Sequence, residues 1–160
     1  MTPLELTRHT KALIDDLKAV CANYGLGNDG NEFKIITQVF LYKFLTDKFA
    51  HEVKRLRPAL KVAESWEQAL ADSPEEAYEM LLLELGERSA LLYPQHFFSH
   101  LYNRQNEADF AQLFDDTLRD IAAKNNQTFA VKTFGGAKIT LFDRVSQYIE
   151  DPGRRDDFCR

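Results

Sequence analysis

Apolar residues recur at helical spacing through most of this chain. Leu6, Leu13, Leu17, Val20 and Tyr24, with Ile14 and Cys21 beside them, predict a helix over 6–24. Gly25 to Gly30 break that pattern. Asp29 and Glu32 then stand at capping-box spacing and open the next helix. That next run, 31–56, is the strongest in the chain. Phe33, Ile36, Phe40 and Phe44 form one row, and Leu41, Leu45, Phe49, Val53 and Leu56 another. Ile35, Val39 and Tyr42 widen the stripe, so that only Lys34, Gln38, Lys48 and Glu52 keep a polar edge. A helix apolar over so much of its circumference belongs at the centre of a bundle, and its aromatic residues are core before they are anything else. Pro58 ends it.

Ser65/Gln68 and Ser73/Glu76 predict two further capping boxes, the second with Pro74 at the first helical position and Gly86 closing the helix. Pro94 opens a helix through Tyr102, and 108–123 carries Phe110, Leu113, Phe114, Leu118 and Ile121 at helical spacing. The one stretch with strand character is 128–142, where alternation on either side of Gly135-Gly136 predicts a small β-hairpin. Helix returns over 141–149, and 154–159 begins another. The fold class is therefore mainly α: a multi-helix orthogonal bundle around the central apolar helix at about 31–56, with one β-hairpin at about 128–142.

Length and charge refine this picture. The 160 residues suffice for one domain with a real core. A net charge of −5 argues against a surface that binds nucleic acid throughout. The charge is uneven, however. Lys54, Arg55, Arg57 and Lys61 gather where the central helix ends, whereas from Glu64 to Glu87 there are acids and no base. The basic group is a candidate phosphate contact, and equally the polar end of a long helix. Two distant cysteines, Cys21 and Cys159, suit a reducing cytosol, and the apolar runs are too short to span a bilayer.

Gly25-x-Gly27-x-x-Gly30 has the spacing of the dinucleotide fingerprint, but that motif works after a β-strand, and a helix pattern precedes it here. Closing one helix and starting another explains these glycines better. His96 and His100 have the spacing of a zinc helix, yet Phe97 stands where a glutamate base belongs and no third ligand is marked. No catalytic, cofactor-binding or metal-binding residue is assigned.

The segment Glu32 to Phe49 resembles the N-terminal helical domain of the methyltransferase (modification) subunit of type I restriction-modification systems. That family shows an acidic-aromatic-lysine opening and then a phenylalanine-leucine-lysine-tyrosine-leucine-serine-aspartate run. The matching positions are Glu32, Phe33 and Lys34, then Phe40, Leu41, Phe44, Leu45, Thr46 and Asp47. Phe33 replaces the usual tyrosine, Thr46 replaces serine, and the preceding turn is longer than usual. Residues 103–121 and 138–158 resemble later parts of the same domain.

The resemblance implies the front domain of a longer, cytoplasmic subunit that methylates adenine N6 in double-stranded DNA. S-adenosylmethionine and the asparagine-proline-proline-aromatic motif would belong to a following α/β domain, and no two prolines are adjacent here. It also implies a specificity subunit, a second methyltransferase subunit and a restriction subunit as partners. The domain would be non-catalytic by itself, helping assembly and closing on DNA, with Lys54, Arg55, Arg57 and Lys61 as candidate contacts. The alternative is a free-standing helical protein–protein interaction module without a methylation role.

Overall fold

The computed structural model describes residues 2–27, 30–125, 130–132, 138–140, 145–149 and 152–160. They form a mainly helical fold: α1 (Pro3–Asn23), α2 (Gly30–Leu56), α3 (Trp66–Ala71), α4 (Glu75–Leu85), α5 (Phe98–Arg104), α6 (Phe110–Lys124) and α7 (Arg155–Cys159), with a short antiparallel pair, β1 (Ala130–Lys132) and β2 (Lys138–Thr140). Val131 faces Ile139 in the ladder. The hairpin is thus where its alternation places it, although its turn lies outside the described residues.

Helix α1 starts three residues before its apolar pattern does, because Thr2 and Glu5 form a reciprocal capping box with Pro3 at the first helical position. It ends in a Schellman turn. Gly25 takes φ +79°, its N–H donates to the Ala22 carbonyl at 3.1 Å, and the Leu26 N–H donates to the Cys21 carbonyl at 2.8 Å. A side chain at Gly25 would be strained in that conformation. The first glycine therefore closes a helix, and no strand leads into it. The expected Asp29 cap falls outside the described residues.

Helix α2 packs against α1, α4 and two 3-10 turns, Pro58–Lys61 and Val145–Tyr148. Its buried face holds Ile35, Tyr42, Leu45, Phe49 and Val53. Two expectations need correction. Gln38 and Glu52 do not form a solvent edge but are buried. Phe33 and Phe44, expected in the core, are 74% and 63% exposed. The reason is angular: Ile35, Tyr42, Leu45, Phe49 and Val53 take the inward face, so the row of Phe33 and Phe44 points away from it.

Ser65 caps α3 by accepting the Gln68 N–H at 3.2 Å, but the Gln68 side chain turns to Asp72. The second expected capping box does not form. Pro74 is extended at ψ 145°, α4 begins at Glu75, and the Ser73 hydroxyl donates back to the Ala69 carbonyl. Gly86 ends α4 at φ +55° as its position predicts. The helix expected from Pro94 is broken in two. A 3-10 turn, Pro94–His96, is followed by extended Phe97, and only then by α5. Phe97 points into the core, its ring 5.9 Å from Phe49 and 5.1 Å from Trp66. Of the helix expected over 141–149, residues 145–149 are described, and they hold a 3-10 turn at Val145–Tyr148.

Contacts between distant segments hold the C-terminal part in place. Asp109, at the start of α6, sits in the left-handed region and makes no side-chain cap. The orphan Ala111 N–H instead donates to Asp156 Oδ1 of α7 at 2.8 Å. Asp115, fully buried, accepts hydrogen bonds from the Ser146 N–H and hydroxyl. Asn125 donates to and accepts from the backbone of Leu91. Among the described residues, no buried side-chain nitrogen or oxygen lacks a partner.

The two phenylalanines on opposite sides of α2 provide a test of this packing. Phe49→Ala should cost about 3–5 kcal/mol, because Phe49 is fully buried. Phe44→Ser should change stability by less than about 0.5 kcal/mol. Urea unfolding of both variants gives the comparison, and equal losses would contradict the assigned faces.

Candidate functional site

The four basic candidates sit together where α2 runs into Pro58, but they are not equivalent. Arg55 Nε donates to Glu52 at 3.1 Å, and Lys48 lies 3.5 Å from the same carboxylate. These partners, the Arg55 hydrogen bond foremost, hold the Glu52 carboxyl below the usual range. Arg57 makes a two-pronged contact with Glu84 of α4, both N···O distances being 2.9 Å. Its guanidinium thus ties the end of α2 to α4, joining the basic and acidic regions that look separate in sequence. Lys54 and Lys61 make no ion pair among the described residues, so they are the cations with charge to offer a phosphate.

The two histidines do not form a metal pair. Phe97 separates them, so they do not share one helix face, and no cluster of metal-ligating side chains occurs among the described residues. His96 is wholly buried and fully bonded: the Tyr93 N–H donates to Nδ1 at 3.0 Å, and Nε2 lies 2.5 Å from Asp120 Oδ2. An Nδ1 that accepts a hydrogen bond carries no proton, so Nε2 bears it and donates to Asp120. Burial lowers the pKa of His96 below the usual value, outweighing Asp120, with Lys124 and His100 adding to the lowering. Burial likewise raises the Cys21 thiol and pushes Cys159 up to about 12, which keeps both protonated and poorly nucleophilic.

Two openings lie between α1 and α2. One, of about 570 Å³, is lined by Ile14, Lys18, Phe33, Ile36, Thr37 and Phe40, with Glu32 at its edge. The other, of about 350 Å³, is lined by Leu6, Thr10, Leu13, Phe40 and Phe44, with Lys43 and Asp47 paired at 2.8 Å on its rim. Phe40 lines both. Ile14 and Lys18 fall on one flank of α1, and Leu6, His9 and Leu13 on the other, so α1 leaves an apolar cleft on each side. Only Cys21 of α1 is buried, while Leu4, Leu6 and Val20 remain exposed.

Neither a family model, nor a curated protein, nor a solved structure matches this chain. The site therefore rests on its geometry. Sequence reading located the basic group but missed the open face of α2. A signal for it was present, because the apolar stripe of α2 is wider than a single inward face can bury.

The protonation of His96 can be measured. Its folded pKa lies below its unfolded value of 6.5, so the unfolded chain binds more protons as pH falls. Its stabilising contribution is therefore complete above that value and is lost as pH drops through the folded pKa. His100 is shifted in the same direction by burial. Thermal melts from pH 7.5 down to about 5 should show a steeper loss for the parent chain than for His96→Gln. Parallel slopes would mean that His96 binds its proton equally in the folded and the unfolded chain.

Proposed function

We propose that this chain is the N-terminal assembly and DNA-clamp domain of a type I restriction-modification adenine-N6 DNA methyltransferase subunit, non-catalytic by itself. The observation that carries this reading concerns the residues of the resemblance. Phe33, Phe40 and Phe44 line the open clefts against α1 and are not enclosed in the domain's own core. Apolar aromatic side chains left open along one helix mark a surface that another chain covers, as the specificity, second methyltransferase and restriction subunits of such a complex would.

The clamp role falls to the cations at the end of α2. An enzyme that extrudes a base must hold the duplex while distorting it, and phosphate contacts position DNA without reading sequence. Lys54 and Lys61 make no ion pair among the described residues and are suited to this. Arg55 and Arg57 are engaged with Glu52 and Glu84, so they brace the helix end and would reach phosphate only by giving up those partners. S-adenosylmethionine would bind elsewhere in the full subunit. Gly25 to Gly30 do not fit its glycine-rich loop, because a Schellman turn and not a strand leads into them.

The uncovered α1–α2 face also favours a second reading, a helical protein–protein interaction module with no part in methylation. One purification separates the two. In the cells that make it, the tagged protein should co-purify with a specificity subunit and with adenine-methylating activity. A complex lacking both would leave the interaction module. In the assembled complex, Lys54→Glu with Lys61→Glu should weaken DNA binding and flatten the plot of log affinity against log salt by about 0.9 for each lysine that meets a phosphate. An unchanged affinity and slope would remove these lysines from the interface.

A further inference from the structure

A second surface lies on α4. Tyr78 and Glu79 on α4, Glu75 at its start, and Tyr93 and Pro94 before α5 line a cleft of about 230 Å³, closed below by the end of α3. The two tyrosine rings stack with centroids 5.9 Å apart and planes 28° from parallel. Tyr78 is fixed, because its hydroxyl donates to the Leu92 carbonyl at 2.5 Å. Tyr93 already carries one cation, the Lys124 ammonium 5.3 Å from its ring centroid, held also by Asp120 at 3.5 Å. An aromatic wall beside carboxylates is the chemistry that receives an ammonium or guanidinium.

The rest of α4 continues the same character. Met80 and Leu83 are 57% and 75% exposed and lie one turn apart. Glu76 stands four residues before Met80 and Glu79 four before Leu83, on the same face. Glu75, Glu76 and Glu79 make no ion pair among the described residues, and α4 itself carries no lysine or arginine. Like charges at these spacings oppose the helix. The helix dipole favours Glu75 and Glu76 in the first turn, but it explains neither Glu79 one turn further on nor the bare Met80 and Leu83.

We propose that this face docks a basic segment of a protein partner. An arginine or lysine enters the cleft at Tyr93 and Pro94 and meets the Glu75 and Glu79 carboxylates, and apolar side chains next to it seat on Met80 and Leu83. Charge complementarity selects this occupant: the face offers apolar anchors framed by acid, which repels nucleic acid and anionic lipid and attracts a cationic peptide. The inference does not depend on the methyltransferase reading.

The test uses the whole chain and a short fluorescein-labelled helical peptide with leucines on one face and arginines flanking them. Its control is the same peptide with glutamates in place of the arginines. Fluorescence anisotropy should show the arginine peptide binding, with affinity falling as salt rises, and the glutamate peptide binding at least about tenfold more weakly. Glu75→Gln with Glu79→Gln should weaken the arginine peptide about tenfold while leaving the melting curve close to that of the parent. Leu83→Ser should weaken it as well. Lys54→Glu with Lys61→Glu should leave the peptide unaffected, which separates this surface from the DNA contact. Equal binding of both peptides, no binding of either, or full affinity in the double glutamine variant would overturn the proposal.

Discussion

Three hydrogen bonds at the ring and carbonyl of His96 hold the packing together. This residue is fully buried, and its carbonyl accepts from the Tyr42 hydroxyl of α2. Its ring accepts from the Tyr93 backbone and donates to Asp120 of α6. A single side chain and its backbone therefore tie α2, α6 and the segment before α5 to one point. Phe97, the next residue, can turn inward onto Phe49 and Trp66 only because the chain leaves the 3-10 turn there in extended form. A continuous helix would carry Phe97 around with its neighbours and remove the ring from the core.

That break is also the clearest case of what sequence alone does not reveal. Pro94, Phe97, Leu101 and Tyr102 suit one helix, and nothing local opposes it. The opposing force is tertiary, namely the apolar surface that Phe97 gains and the partners that His96 finds on α2 and α6. Similar reasons explain the other differences. Ser73 has the spacing of a cap, but Pro74 holds the backbone extended and α4 begins one residue later. Gln38 and Glu52 look like a polar edge by composition, yet they lie on the inward side of α2, the latter neutralised by Arg55 and Lys48. Periodicity and turn chemistry, in contrast, placed α1, α2, α4, α6, Gly86 and the hairpin strands, because each is set by local residues. Of the candidate site, the basic group was legible as a cluster. Which cations are already paired was not, since Glu84 stands 27 residues from Arg57.

The described residues present three kinds of face. The α1–α2 clefts are apolar, Lys54 of α2 and Lys61 of the following 3-10 turn make no ion pair among the described residues, and α4 presents acid around two apolar side chains. Arg57 and Glu84 join the last two, so the basic and acidic regions are held in a fixed relation by a two-pronged pair. An assembly that uses more than one of these faces would inherit that geometry from the fold, with no further ordering cost at the junction.

The distant cap on α6 bears on how the chain comes together in time. The Ala111 N–H waits for a carboxylate 45 residues further along, and Asp115 for a serine 31 residues on. During synthesis α6 is complete well before either partner leaves the ribosome. A helix of 15 residues is marginal alone, and its first turn has no cap of its own. The closing segment therefore acts as a clasp fastened last. The added entropic cost of closing the intervening segment grows only slowly with its length, so the wait is mainly one of order: the N-terminal helices can settle vectorially, whereas the α6 region acquires its final stability only when residues 146 and 156 arrive.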